Sequence, residues 1–323
     1  MRANGDPADR HRLALERSTV QAKTVRIGTR GSPLALAQAR EVEARLAAAH
    51  APGAYAFDLR VIRTSGDRIQ DRPLSEAGGN KGLFTKEIEE ALLDGRAHLA
   101  VHSLKDLPTE LPEGLALAAI PEREDPRDAM VGRTLASLPL GAKVGTSSLR
   151  RAAQLRQLRP DLQVESIRGN LDTRLRKLDE GQYDAILLAA AGLKRLGWGD
   201  RIAEILSPEQ MCPAVGQGAL AIEARAGFDG AKMLDHADTR TAVLAERGVL
   251  GALGGGCQVP IGAYATVSEG RVHILAIVAA PDGTQVIRAE AEGPAAEASL
   301  IGASLAAELL TRGARQILEA VYS

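Results

Sequence analysis

The residues best placed to do chemistry gather first in Leu99-Ala100-Val101-His102-Ser103-Leu104-Lys105-Asp106-Leu107-Pro108. An apolar run long enough for one buried strand ends in His, Ser, Lys and Asp, and Pro108 forbids its continuation. A cation and a carboxylate are thereby delivered to the carboxyl end of a strand, the edge at which open α/β sheets bind ligands. Lys105 and Asp106 alone are equally compatible with a solvated turn, so the remaining motifs have to distinguish the two readings.

Cations recur at further strand-to-helix junctions. The alternating β-branched run Thr24 to Thr29 leads into Arg30-Gly31-Ser32-Pro33, with Ser32 as N-cap and Pro33 at the first position of a helix reaching Ala49. Lys143 to Ser148 is a short strand running into Thr146, Ser147 and Ser148, and the next helix opens with Leu149-Arg150-Arg151. A strand at Leu162 to Ile167 leads into Arg168-Gly169-Asn170-Leu171-Asp172-Thr173-Arg174. Arginine in a first turn opposes the helix dipole, so an anion is expected to join these groups. The buried strand Asp184 to Ala189 brings Lys194 and Arg195 to the same edge.

The elements that position these groups form an α/β pattern. A strand at Tyr55 to Arg63 precedes a polar, glycine-containing stretch at 64–82, which reads as a lid. Phe84, Ile88 and Leu92 mark one face of a helix ended by Gly95, and the crossover to Leu99 predicts a parallel sheet. After the apolar run Leu115 to Ile120, the charged segment Pro121 to Asp128 reads as a hinge, and Pro213 to Leu220 as a second crossing. Two similar lobes with mixed, mostly parallel sheets and two hinge crossings enclose a cleft, as in type II periplasmic binding proteins. The predicted division is a disordered extension at 1–23, one lobe at 24–121 plus 218–236, a second at 122–217, and a C-terminal α+β domain at 237–323. That last domain holds strands at Val272 to Ala279 and Thr284 to Ala291 around a Pro281-Asp282-Gly283 turn, then a final helix.

Composition narrows the chemistry. Lys and Arg number 40 against 41 Asp and Glu, so no global field recruits nucleic acid or a membrane surface. Aromatic residues make up only 2%, too few to stack single-stranded bases. Two cysteines cannot build a disulfide framework and suit a reducing cytoplasm. The apolar run at Ala185 to Leu193 is too short to span a bilayer, and Met1 to Lys23 lack the apolar core of a secretory signal. His98 and His102 share one strand face without a zinc-type ligand set, so no metal is expected. Gly78, Gly79 and Gly82 do not follow the order of a phosphate loop. Cys212 reads as an inert buried thiol, whereas the glycines before Cys257 leave that thiol accessible.

Seven segments in order carry a specific resemblance from about Val25 to Tyr322. They are Thr29 to Ala35, Val101 to Asp106, Arg123 to Asp128, Gly145 to Arg151, Arg168 to Asn170, Ala214 to Gly218 and Gly255 to Pro260. With these the chain resembles the porphobilinogen deaminase family, also called hydroxymethylbilane synthases. The resemblance implies a cytoplasmic, monomeric transferase that joins four porphobilinogen units head to tail, releasing ammonia, on a dipyrromethane primer bound by a thioether to Cys257. It implies catalysis by Asp106 with Lys105. Primer binding would fall to Arg150, Arg151, Thr146, Ser147, Ser148, Lys81 and Asp106. Substrate binding would fall to Arg30, Ser32, Arg168, Arg174, Arg195 and Gln217. The sequence departs from the family pattern at Leu104, where Met is frequent, and at Asn80, an extra residue in the Gly-Gly-Lys-Gly segment. A two-lobed receptor for an anionic small molecule is the alternative, although it leaves the Cys257 loop without a role.

Overall fold

A computed structural model describes residues 22–68, 83–255 and 259–322. Nearly all of the expected extension, most of the predicted lid including Asn80 and Lys81, and Cys257 itself lie outside the described residues.

The first sheet contains β1 (Lys23–Thr29), β2 (Tyr55–Val61), β3 (Leu99–Ser103), β4 (Leu115–Ala119) and β10 (Leu220–Arg225) in the order β2-β1-β3-β10-β4. The second contains β5 (Asp128–Val131), β6 (Lys143–Gly145), β7 (Gln163–Glu165), β8 (Ala185–Ala189) and β9 (Ile202–Ile205) in the order β7-β6-β8-β5-β9. Each sheet has four strands running one way and one running against them that has just crossed from the other lobe: β10 in the first, β5 in the second. The two lobes therefore share one topology, as the repeated strand-to-helix device predicts.

Helices α1 (Pro33–Ala49) and α2 (Lys86–Leu93) belong to the first lobe, and α3 (Leu149–Leu158), α4 (Leu171–Asp179) and α5 (Ala190–Arg195) to the second. Ser32 caps α1 by accepting the Ala35 N–H at 3.3 Å, worth about 1 kcal/mol. On β3 the two-residue period divides the side chains. Leu99 and Val101 pack with Val42 and Leu46 of α1, while Ala100 packs with Ile88 and Leu92 of α2. Each fully buried large aliphatic residue contributes about 2 kcal/mol. The strand is thus held from both faces and its polar end is set rigidly.

The third sheet holds one strand more than expected: β11 (Ile261–Ser268) precedes β12 (Arg271–Ala279) and β13 (Val286–Pro294) in an antiparallel meander. Strands β5 and β9 were likewise not legible, and Asp128, expected in the hinge, is the first residue of β5. These strands are short or rich in small residues, so they lack the long β-branched alternation that reveals a strand in sequence. Helices α6 (Ala237–Ala252) and α7 (Ala298–Leu309) cover the third sheet, and α8 (Arg315–Tyr322) ends the described chain. Gly248 and Gly302 permit the close approach of α6 and α7, since a Cβ on either would overlap backbone of the other helix.

The two crossings touch. The Glu124 N–H donates to the Gly218 carbonyl at 3.3 Å, and Gly218, at φ +88°, faces the Glu124 carbonyl so closely that a Cβ would overlap it.

Candidate active site

At the end of β3 the chain enters one 3-10 turn, Leu104–Asp106. Hydrogen bonds from several elements fix this turn and the residues that flank it. Leu104 donates its N–H to the Ala219 carbonyl at 3.0 Å, and Gln38 on α1 donates to Ser103 Oγ at 2.8 Å. Lys105 Nζ donates to Gln217 Oε1 at 3.3 Å. From α6, the Arg247 guanidinium donates to the carbonyls of Leu107, Pro108 and Thr109 at 3.3, 2.6 and 2.8 Å. The turn carrying Asp106 is therefore held jointly by the first lobe, the second crossing and the C-terminal domain.

Desolvation, followed by repulsion from Arg151, pushes the Lys105 ammonium down to about 8, against the pull of Asp106 and Asp128. The lowered value has a definite sign. Below pH 8 the group is charged in folded and unfolded chains alike, and between pH 8 and the ordinary 10.5 only the unfolded chain keeps the proton. Stability contributed at this position is expected to rise across that interval. Lys105→Met removes the rise, which is read as the difference between wild-type and variant urea midpoints from pH 7 to 10.

In the second lobe the arginines at the start of α3 have an anion that the sequence did not reveal. Asp128, wholly buried on β5, accepts from Arg150 Nη1 at 2.7 Å, Arg151 Nε at 2.9 Å and Arg151 Nη2 at 2.7 Å. The two guanidinium groups hold the Asp128 carboxyl well below the usual carboxylate range despite its burial. Arg150 also donates to the Cys212 carbonyl, and Arg151 to the Leu187 carbonyl at 3.2 Å. The expectation that an external anion must join this pair is corrected: a strand entering from the other lobe supplies the charge. Burial pushes the Cys212 thiol up to about 12, consistent with an inert role.

Gln217 joins the two halves. Its Nε2 donates to Asp128 Oδ1 at 2.8 Å and the Pro126 carbonyl at 2.7 Å, while Oε1 accepts from both Lys105 and Arg151 at 3.3 Å. The side chain expected to touch substrate is also the bridge between the Lys105 turn and the Asp128 pair. Beneath it, the fully buried Glu246 on α6 accepts from Arg123 at 2.6 and 3.1 Å, from the Gly216 N–H at 2.7 Å and from the Ala265 N–H at 2.9 Å. One carboxylate thus ties both crossings to β11. Asp128, Glu246 and Arg247 escaped sequence reasoning. The only advance signal was Arg123 and Asp128 lying within a charged segment between prolines.

The other expected residues fall as follows. Arg174, in the first turn of α4, donates to the Gly169 carbonyl at 2.8 Å and forms no ion pair among the described residues. Desolvation and then the nearby Arg151 charge lower it to about 10. Ser147 Oγ lies 2.9 Å from Ser166 Oγ and donates to the Ile167 carbonyl. Thr146 Oγ1 accepts the Ser148 N–H at 3.2 Å, and Ser148 Oγ accepts the Arg151 N–H at 3.4 Å. The Arg168 carbonyl accepts from Lys177 at 3.4 Å. The Arg30 guanidinium carbon lies 4.1 Å from the centroid of Phe84. Arg195 sits in the last turn of α5 and pairs with Glu41 of α1 at 2.9 Å. Of the two histidines, His98 Nδ1 accepts the Arg26 N–H at 3.0 Å, and His102 lies 2.9 Å from the buried Glu223.

Fold and site together define a two-lobed α/β protein with a third domain, whose cationic lobe junction faces a Lys-Asp turn. The family model described as "Porphobilinogen deaminase, dipyromethane cofactor binding domain" matches residues 25–233, and that described as "Porphobilinogen deaminase, C-terminal domain" matches residues 240–311. A porphobilinogen deaminase of Syntrophobacter fumaroxidans is 52% identical over 307 residues, covering 93% of this chain and 98% of that protein. Among solved structures, the periplasmic VFT2 domain of Bordetella pertussis BvgS matches at 15% identity over 72% of this chain and 91% of its own, with a TM-score of 0.35. The probable amino-acid transporter binding protein ytmK of Bacillus subtilis matches at 10% identity over 66% and 88%, with a TM-score of 0.37. The chain belongs to the porphobilinogen deaminase family, which are transferases, and it contains the family's dipyrromethane cofactor binding domain. Among the described residues no helix is long and apolar enough to cross a membrane.

Proposed function

We propose that the chain joins four porphobilinogen molecules head to tail into hydroxymethylbilane, releasing ammonia at each junction, on a dipyrromethane primer held through a thioether at Cys257. We further propose that it works as a monomer in the cytoplasm. The observation that carries the reading is the charge balance at the lobe junction. Among the described residues Asp128 pairs with both Arg150 and Arg151, Asp106 and Asp128 pull on the Lys105 ammonium, and Arg174 forms no ion pair, which leaves the cations in excess.

Such an excess suits a ligand that brings its own carboxylates, as every pyrrole bearing an acetate and a propionate does. The donors present therefore fit the primer. The hydroxyls of Thr146, Ser147 and Ser148 would hold its acids together with Lys81, with Arg150, Arg151 and Asp128 forming the buried floor. When bound, the primer supplies the pyrrole α-carbon to which the next unit is joined. Arg30, Ser32, Arg168, Arg174, Arg195 and Gln217 would hold the incoming acids. Asp106 holds pyrrole N–H groups and offsets the positive charge that develops as ammonia leaves the substrate. Lys105, with its lowered affinity for protons, positions the carboxylate beside it.

The reading is tested by intact mass. The wild-type chain should be heavier than its sequence by two pyrrole units, and Cys257→Ser should carry no addition while remaining folded. An unmodified wild-type chain that still makes tetrapyrrole from porphobilinogen would overturn the covalent primer. Light scattering and cell fractionation test the monomeric and cytoplasmic assignments.

A further inference from the structure

The basic pair Lys194-Arg195 is not used as a simple cleft cation. Lys194 reaches Glu124 at 3.4 Å and Asp125 at 3.1 Å in the first crossing. Arg195 faces the other way: Nε donates to Glu41 Oε2 at 2.9 Å, and Nη2 donates to the Gly218 carbonyl at 3.1 Å in the second crossing. Glu41 lies on α1 of the first lobe, so this contact spans the two lobes. The α1 and α5 helices also meet through Leu34 and Gly192.

We propose that Glu41 is a positioning residue that aims Arg195 at a substrate carboxylate. This rests on the proposed function, in which Arg195 binds an acid side chain of porphobilinogen. The Nε edge of the guanidinium is taken by Glu41 and the inner Nη2 proton by Gly218, which fixes the plane of the group. Nη1 donates to no other group among the described residues, so one end of the fork stays available. The side chain is only 7% exposed, and a guanidinium so enclosed has few other orientations. Charge is left over as well. Glu41 Oε1 accepts from Arg45 at 2.6 Å, so one carboxylate serves two guanidinium groups and the positive excess is not cancelled.

The test is Glu41→Gln in the full-length holoenzyme. The expected result is a KM for porphobilinogen raised about fivefold with kcat within twofold of wild type. An unchanged KM, with or without a lower Tm, makes Glu41 merely structural and overturns the proposal. A lowered KM overturns it too, because Glu41 would then compete with substrate for Arg195. A second readout does not depend on turnover: amide exchange at 191–196 and at Gly218 should quicken at least threefold in the variant. If the wild-type chain leaves porphobilinogen unconsumed, the proposed function itself fails. Exchange then decides alone, and an unchanged rate overturns the positioning role.

Discussion

Asp106→Asn is expected to leave the chain folded and its covalent primer in place while lowering kcat for porphobilinogen consumption by at least a hundredfold. The substitution is nearly isosteric and keeps a hydrogen-bonding oxygen, so what it removes is charge. A carboxylate about 4 Å from a developing cation, at an effective dielectric near 20, supplies roughly 4 kcal/mol. That is on the order of a thousandfold in rate. The turn that carries Asp106 is held by Ala219, Gln217 and Arg247, none of which depends on the Asp106 carboxylate, so the geometry should survive. Steady-state kinetics give kcat, and intact mass reports the primer. A variant that keeps its primer and turns over within tenfold of wild type removes Asp106 from the mechanism.

Asp128→Asn is expected to cost about 3–5 kcal/mol of stability, because it strands two buried guanidinium groups without their counter-charge. For a chain of this size the melting temperature should fall on the order of 10 °C. Arg150 and Arg151 are only 3% and 6% exposed, so neither can turn to water for compensation. The pH dependence has a fixed sign. The folded Asp128 carboxyl lies below its unfolded value, so its contribution is complete above the ordinary carboxylate pKa of about 4 and is lost as pH falls through the folded value. The variant should therefore show a flatter acid limb than wild type in calorimetric scans below about pH 4, and the two should run parallel above it. Coupling supplies a further check. Because Asp128 and Arg151 share one interaction, Asp128→Asn with Arg151→Met should cost less than the two single changes added together. Additive costs would mean that the pair is not the source of the stability.

The bond between Asp128 and Arg151 also links stability to the site. Asp128 pulls the Lys105 pKa upward, and Gln217 touches Asp128, Arg151 and Lys105 at once. Loss of the buried carboxylate therefore reaches the Lys105 turn through the same amide that spans the crossing.

The local chemistry was legible in the chain itself. Pro108 after a short apolar run, Ser32 before Pro33, and the hydroxyls before Arg150 mark strand ends and helix starts, because capping and backbone restrictions act within a few residues. Order and spacing of the motifs were enough to place the chain in its family and to nominate Asp106. Tertiary structure decided which charges are already spent. Asp128 meets Arg150 and Arg151 across 22 and 23 residues of chain, Glu246 meets Arg123 across 123, and Glu41 meets Arg195 across 154. Coulomb attraction depends on distance in space, and only the fold brings those groups together: the entry of β5 carries Asp128 to Arg150 and Arg151, and the meeting of α1 with α5 carries Glu41 to Arg195. Sequence reports that a cation stands at a helix start, and the fold determines whether the anion beside it belongs to the protein or has to arrive with the substrate.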